Sequence, residues 1–239
     1  MAAVIFAGFS VQLAMGRSSF ASPPLVHAHA VVFMGWVVLF VLQTTFAVTG
    51  RMAPHRLLGW IATGWIVAML VLGTAVTVAM VRRGQTPFFF RPQQFLVFDP
   101  ATLATFAALT VAAIAMRRRT DWHRRLQVCA MAMLLGPGFG RLLPMPLLAP
   151  FAWEATFVAS LIVPAFGVVS DFRRSGRTHP AWAYGIGSMF LCLVLIEAVG
   201  YSPVGAMIYR EVAKGSPGAA VPPLRFPPRP AGPQVTGRT

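Results

Sequence analysis

The sequence predicts an all-α fold, a polytopic bundle of transmembrane helices, and three observations support this prediction. Of the 239 residues, 56% are hydrophobic and only 11% are charged, whereas soluble domains contain about one quarter charged residues. Apolar stretches close to the length that spans a bilayer, about 20 residues, recur along the chain. Short arginine clusters separate these stretches. Because lipid offers the backbone no hydrogen bonds, such stretches are expected to be helices.

Six apolar stretches reach or approach the spanning length, and the N-terminal run Met1–Met15 is a seventh candidate. We therefore predict six or seven spans, depending on whether this first run crosses the membrane. The six longer stretches are Val26–Val48, Leu57–Val81, Ala101–Met116, Leu126–Leu143, Ala152–Val169 and Ala181–Tyr201.

The spans define one transmembrane domain, residues 1–209, which is followed by a tail of different composition. From Arg210 onward the chain is rich in Pro, Gly, Ala and Arg, and this composition offers few side chains that could build a core. We therefore predict that residues 210–239 form a disordered Pro/Arg-rich tail.

The arginines predict how the chain is oriented in the membrane. The 20 basic residues outnumber the 6 acidic ones, and they concentrate in alternate loops, around His55, His123 and His179. By the positive-inside rule these three loops are cytoplasmic. Because the arginines lie between apolar spans and not on a soluble domain, we expect the lipid bilayer as a partner and no binding to nucleic acid.

His55, His123 and His179 each follow a basic loop at the start of a predicted helix. The positive end of the helix dipole and the neighbouring arginines disfavour the imidazolium, and the neutral imidazole is the form that binds metals and haem iron. We therefore predict that these three histidines bind a cofactor, either haem b or zinc, with Asp121 or Asp171 as a further partner. The competing interpretation is that each ring lies at the membrane interface without a ligand.

A second candidate metal site lies at the predicted exterior face, where His27 and His29 begin one helix and Asp99 and Glu154 begin two others. Residues two apart on a helix point in nearly opposite directions, so the two histidines converge only if the segment that carries them is extended. The competing interpretation makes Asp99 a helix N-cap before a proline and Glu154 an ordinary acidic residue of a first turn.

Two further features lie within the apolar stretches. Glu197 is deep in the last one, where an ionised carboxylate is costly unless it is paired or faces water. It is either a functional residue or, one turn before Tyr201, an interfacial one. The segment Gly136–Arg141 interrupts the fifth predicted span, as in the broken helices of transporters, although a kink that serves packing explains it equally well.

Several motifs occur together in the first half of the chain: HxH at the start of a helix, Gln43 late in that helix, then GR and HRxLG, all within Pro24–Trp60. With the later DWHRRL and RTHPAW segments, this pattern resembles a family of uncharacterised bacterial inner-membrane proteins. The resemblance implies a multi-pass protein of the bacterial inner (plasma) membrane and no particular activity.

Histidines at helix ends that are followed by arginines more distantly resemble those of transmembrane b-type cytochromes, such as the ascorbate-dependent ones and the ferric reductases. That resemblance implies haem ligation and transmembrane electron transfer. Two stacked haems need a histidine pair on facing helices at each membrane side, whereas His27 and His29 share one helix. A single haem on the cytoplasmic side is therefore expected.

Three functions follow from these observations. The first is a haem- or metal-binding redox membrane protein that uses the cytoplasmic histidines. The second is a transporter or a non-catalytic assembly or accessory protein, and the third is a membrane-embedded hydrolase in which a metal-bound water attacks a lipid. The chain contains no GxSxG, HExxH or phosphate-loop motif, so whether it is an enzyme stays open.

Overall fold

Helices fill the computed structural model, which describes residues 1–18 and 20–229 and contains no β-strand within them. The helices are α1 (Ala2–Ala14), α2 (Pro24–Val48), α3 (Met52–Arg82), α4 (Pro92–Ala115), α5 (Thr120–Met133), α6 (Gly136–Leu142), α7 (Met145–Leu148), α8 (Ala152–Ser175), α9 (Pro180–Gly200) and α10 (Pro203–Ala213), followed by a 3-10 turn at Pro217–Ala220. The predicted all-α fold is confirmed.

Among the described residues, five helices are long and apolar enough to cross a membrane: α2, α3, α4, α8 and α9. The chain is therefore a multi-pass membrane protein, but the predicted count of six or seven spans is not confirmed. Helix α1 has 13 residues and is about 20 Å long, which is less than the hydrocarbon thickness of about 30 Å. It packs along α6.

The fifth predicted span is divided into α5 and α6. The amides of Leu134 and Leu135 bond to carbonyls three residues back, and Pro137 has no N–H with which to continue a helix. Gly138 then lies close to the backbone of α1, where a Cβ on Gly8 would come within 2.5 Å of the Gly138 carbonyl oxygen. The break thus has a local cause and also makes room for α1.

The fourth predicted span begins earlier than expected, at Pro92 and not at Ala101. Its first turns carry Gln93 and Gln94, which are almost fully buried although they are polar. The Gln93 side chain donates to the carbonyl oxygen of Gly200 at 2.9 Å, at the end of α9. Hydropathy placed these polar residues in an exterior segment, but the side-chain nitrogens of both glutamines donate hydrogen bonds inside the bundle.

The described part of the predicted tail, residues 210–229, also differs from expectation. It continues α10 to Ala213 and then turns back onto α3 and α4. Tyr209 donates to the Gly218 carbonyl at 3.0 Å, and Arg82 donates to the Val212 carbonyl at 2.8 Å. The described residues after Arg210 thus pack against the bundle, although their composition predicted disorder. Residues 230–239 lie outside the described residues.

Helices α4 and α5 form the centre of the bundle. Helix α4 packs against α3, α5, α9 and α10, and α5 also packs against α8 and α9. Small residues permit the close approach of helices in lipid, and Gly185 of α9 lies directly against Cys129 of α5. The α2–α3, α4–α5 and α8–α9 connections meet at one end of the bundle, which carries most of the arginines and is here termed the basic end.

We expect Gly185→Ala to lower the stability of the bundle by about 1–3 kcal/mol, because a Cβ there would lie 2.8 Å from the Cys129 Cβ. Gly187→Ala is the matched control, since a Cβ at that position meets nothing within 4 Å. The midpoint of thermal unfolding in detergent measures both. Equal midpoints for the two variants would contradict the α5–α9 packing described here.

Candidate functional site

The structure places the three predicted histidines at helix starts at the basic end, as the sequence indicated. His55 and His123 lie in the first turns of α3 and α5, and His179 is the N-cap of α9. The rings of His55 and His123 approach each other, with 6.4 Å between their centres and an angle of 88° between their planes. The structure therefore brings two of the three histidines together.

Backbone carbonyls orient both rings of this pair. His55 Nδ1 lies 3.2 Å from the carbonyl oxygen of Gln43 on α2, and His123 Nδ1 lies 2.7 Å from that of Ala113 on α4. A carbonyl oxygen only accepts, so each Nδ1 carries the proton and donates it. In a neutral ring Nε2 then keeps its lone pair, which is the state of a histidine that binds a metal through Nε2.

A glutamine accompanies each histidine one turn further into the bundle. Gln127 follows His123 by four residues and lies on the same helix face. The Gln43 side chain lies next to Gly59, one turn after His55, with its Nε2 3.3 Å from where a Cβ at Gly59 would be.

The side-chain oxygens of both glutamines are buried and have no hydrogen-bond partner within the described part of the chain. Buried acceptors are normally satisfied by a donor from protein, water or ligand. Gln43 is predicted from the sequence only as a motif residue, and Gln127 is not among the predicted site residues. A glutamine one helical turn after a histidine in an apolar run is the signal that could have identified it.

His179 does not join this pair, because both of its ring nitrogens are engaged elsewhere. Its Nε2 donates to Asp121 at 2.7 Å, and its Nδ1 accepts from the Ala181 amide at 3.2 Å. The hydrogen bond from His179 lowers the pKa of Asp121 below its ordinary value. This geometry assigns His179 to capping α9 and to joining α9 to α5.

A buried ion pair next to His179 ties three helices together. Arg125 of α5 donates from Nε to Asp171 of α8 at 2.6 Å, and Trp182 of α9 donates to the same carboxylate oxygen at 2.7 Å. Arg125 is only 7% exposed. Asp171, which the sequence suggested as a cofactor partner, is instead occupied in holding α5, α8 and α9 in register.

The two histidines of the second predicted site point apart at the opposite end of the bundle. Helix α2 already begins at Pro24, so His27 and His29 are both helical and the extended segment that would let them converge does not form. His27 Nε2 lies 3.1 Å from the Phe20 carbonyl oxygen, whereas His29 packs against Phe33 with 4.1 Å between ring centres.

The two acidic residues of that site have separate environments. Asp99 lies inside α4 and accepts a hydrogen bond from Thr77 of α3 at 2.9 Å, so it is not an N-cap. Glu154 lies in the first turn of α8, as the competing interpretation held.

No group of three or more His, Cys, Asp and Glu side chains that could hold a metal occurs in residues 1–18 and 20–229. Neither the exterior site of His27, His29, Asp99 and Glu154 nor a zinc site built on His55, His123 and His179 is supported.

Glu197 belongs to a different polar cluster at this opposite end. Its Oε1 accepts from Gln94 at 2.7 Å and from Trp153 at 2.8 Å. Both donors are neutral. Gln94 belongs to α4 and Trp153 to α8, the two helices that flank α9. The neighbouring Glu154 has an Oε2 that is buried without a hydrogen-bond partner in the described residues. Glu197 is therefore a partly buried residue that is hydrogen-bonded between α9 and its neighbours.

Comparison with known proteins adds no family or relative, because no family model, curated protein or solved structure matches this chain. Function must therefore be argued from the site itself.

We expect Asp171→Asn to destabilise the protein by about 2–3 kcal/mol, because it removes the counter-charge of Arg125, a side chain that is almost fully buried. Glu211→Gln is the control, since its ion pair with Lys214 is 4.0 Å long and largely exposed. Thermal unfolding in detergent compares the two variants. An Asp171→Asn protein as stable as the Glu211→Gln protein would contradict a structural role for this ion pair.

Proposed function

We propose that this chain is a haem-binding redox protein of the bacterial plasma membrane, in which His55 and His123 would together hold one haem iron, the group that would carry the electron. The observation that carries the proposal is the pairing of these rings across two helices. Their Nδ1 atoms are already held by backbone carbonyls, and the Nε2 atoms accept no hydrogen bond among the described residues.

The spacing of the rings supports axial ligation of one iron. Two imidazoles bound to one metal through bonds of about 2 Å have ring centres at most about 6.5 Å apart, and only when they lie on opposite sides of the metal. The observed separation is 6.4 Å, close to this limit. Tetrahedral ligation would bring the ring centres closer, to about 5 Å. The ring spacing would thus suit one haem iron held by both rings better than one tetrahedral zinc ion.

Charge at the basic end supports the same cofactor. Arg51 and Arg119 each lie one turn before a ligand histidine, and their carbonyls accept from the amides of His55 and His123 at 3.3 Å and 3.0 Å. Both arginines are exposed, and guanidinium groups are well suited to pair with carboxylates such as haem propionates. The positive-inside rule would put this end in the cytoplasm.

The hydrolase alternative is less well supported than the haem proposal. A catalytic zinc takes three protein ligands and a water, but His179 is occupied by Asp121 and by the Ala181 amide. His55 and His123 remain and would supply two ligands, which is the number that a six-coordinate haem iron requires from the protein.

We expect the purified protein to show a haem absorption band that sharpens on reduction. His55→Ala and His123→Ala should each lower the bound haem by about tenfold or more, because losing either axial ligand leaves an open position on the iron. His179→Ala is the matched control, because His179 also lies at a helix start at the basic end. The His179→Ala protein should retain its haem. Reduced-minus-oxidised spectra, with haem quantified per polypeptide, measure all four proteins.

A spectrum without haem after expression with haem supplied would contradict the proposal, and so would equal haem loss in all three variants. Transport would then be the leading alternative. The polar cluster around Glu197 at the opposite end supports it, since carboxylates inside membrane spans commonly mark the paths of protons and ions.

A further inference from the structure

The lipid-facing side of α8 carries a shallow cavity near the basic end. Its volume is about 190 Å³, and it is lined by Phe166, Val169, Ser170, Arg173 and Arg174. These residues recur at intervals of three and four, so they form one continuous face of the helix. No other helix contributes to the lining, and the cavity therefore opens to the surroundings of the bundle.

The face below this cavity is apolar and exposed. Val158, Ile162 and Phe166 follow one another at four-residue spacing and are 62%, 63% and 75% exposed. A stripe of this kind faces lipid chains in a membrane-spanning helix. It runs from the middle of α8 directly into the cavity, and so it lies where an acyl chain would extend from a headgroup bound there.

Three side chains that line the cavity carry donors without a partner among the described residues. Arg173 and Arg174 lie in the last turn of α8, and neither makes an ion pair or hydrogen bond with any described residue. The Ser170 hydroxyl also lacks a partner there, whereas Ser160 and Ser175 of the same helix donate to carbonyls four residues back at 2.8 Å and 2.9 Å. Two guanidinium groups and one free hydroxyl thus surround a depression large enough for a phosphate.

General rules account for the arginines alone. Cationic side chains are favoured at helix C-termini and in loops on the basic side of a membrane protein. These rules do not explain why the two arginines adjoin a serine whose hydroxyl has no partner among the described residues. Phosphate recognition by arginine and hydroxyl donors explains this combination.

We propose that this face of α8 binds one anionic phospholipid. Its headgroup phosphate contacts Ser170, Arg173 and Arg174, and one acyl chain lies along Phe166, Ile162 and Val158. The two positive charges select a headgroup with net negative charge over a zwitterionic one. The site shares no residue with the His55–His123 pair, and so its test is independent of haem binding.

Native mass spectrometry of the protein released from vesicles with equal amounts of phosphatidylglycerol and phosphatidylcholine tests this site. We expect the unmodified chain to retain one phosphatidylglycerol preferentially. The Arg173→Gln/Arg174→Gln protein should retain this lipid at least roughly tenfold less. Arg117→Gln/Arg118→Gln is the control, because it removes the same charge from two exposed arginines at the same end and should bind lipid normally. Ser170→Ala should lower retention by about threefold.

Equal retention by the two double variants, or retention of phosphatidylcholine as well as of phosphatidylglycerol, would overturn the proposal. So would full displacement of the lipid by millimolar inorganic phosphate, since the apolar stripe would then contribute nothing. If the Arg173→Gln/Arg174→Gln protein does not fold, Ser170→Ala carries the test by itself, and unchanged retention in that variant overturns the proposal.

Discussion

Polar groups that enter a bilayer must find their partners inside the chain, and this constraint determines how the helices of this protein meet. Asp171 receives donors from Arg125 and Trp182 and so joins α8 to α5 and α9. Glu197 receives donors from Gln94 and Trp153 and so joins α9 to α4 and α8 at the opposite end. Each carboxylate holds three helices together, and the two contacts fix both ends of α8 against α9.

The same constraint explains how His55 and His123 are held. Each imidazole bonds to a carbonyl near the end of the preceding helix of its hairpin, α2 for His55 and α4 for His123. The bond fixes the ring and its tautomer, as the outer hydrogen bond of a metal-bound histidine does. The ligand geometry is thus prepared by the hairpins themselves, because the ring that would bind iron is also the group that closes the hairpin.

Local sequence features predicted much of this fold. Hydropathy identified the five described helices that are long and apolar enough to cross a membrane, and the basic clusters placed His55, His123 and His179 at helix starts. Sequence could not show which histidines converge, because the distance between α3 and α5 depends on how both pack around α4. Hydropathy did not predict the burial of polar residues such as Gln94. It also did not predict that the proline-rich segment after α10 packs against the bundle. Neither segment is apolar enough to be recognised from its sequence.

The central claim is that His55 and His123 bind one iron from opposite sides, and electron paramagnetic resonance of the oxidised, haem-loaded protein tests it most directly. Two axial histidines make ferric haem six-coordinate and low-spin. The account predicts a low-spin signal in the unmodified chain and a high-spin signal for the haem that remains in His123→Ala. A low-spin signal that survives His123→Ala unchanged, or a high-spin signal in the unmodified chain, would contradict it.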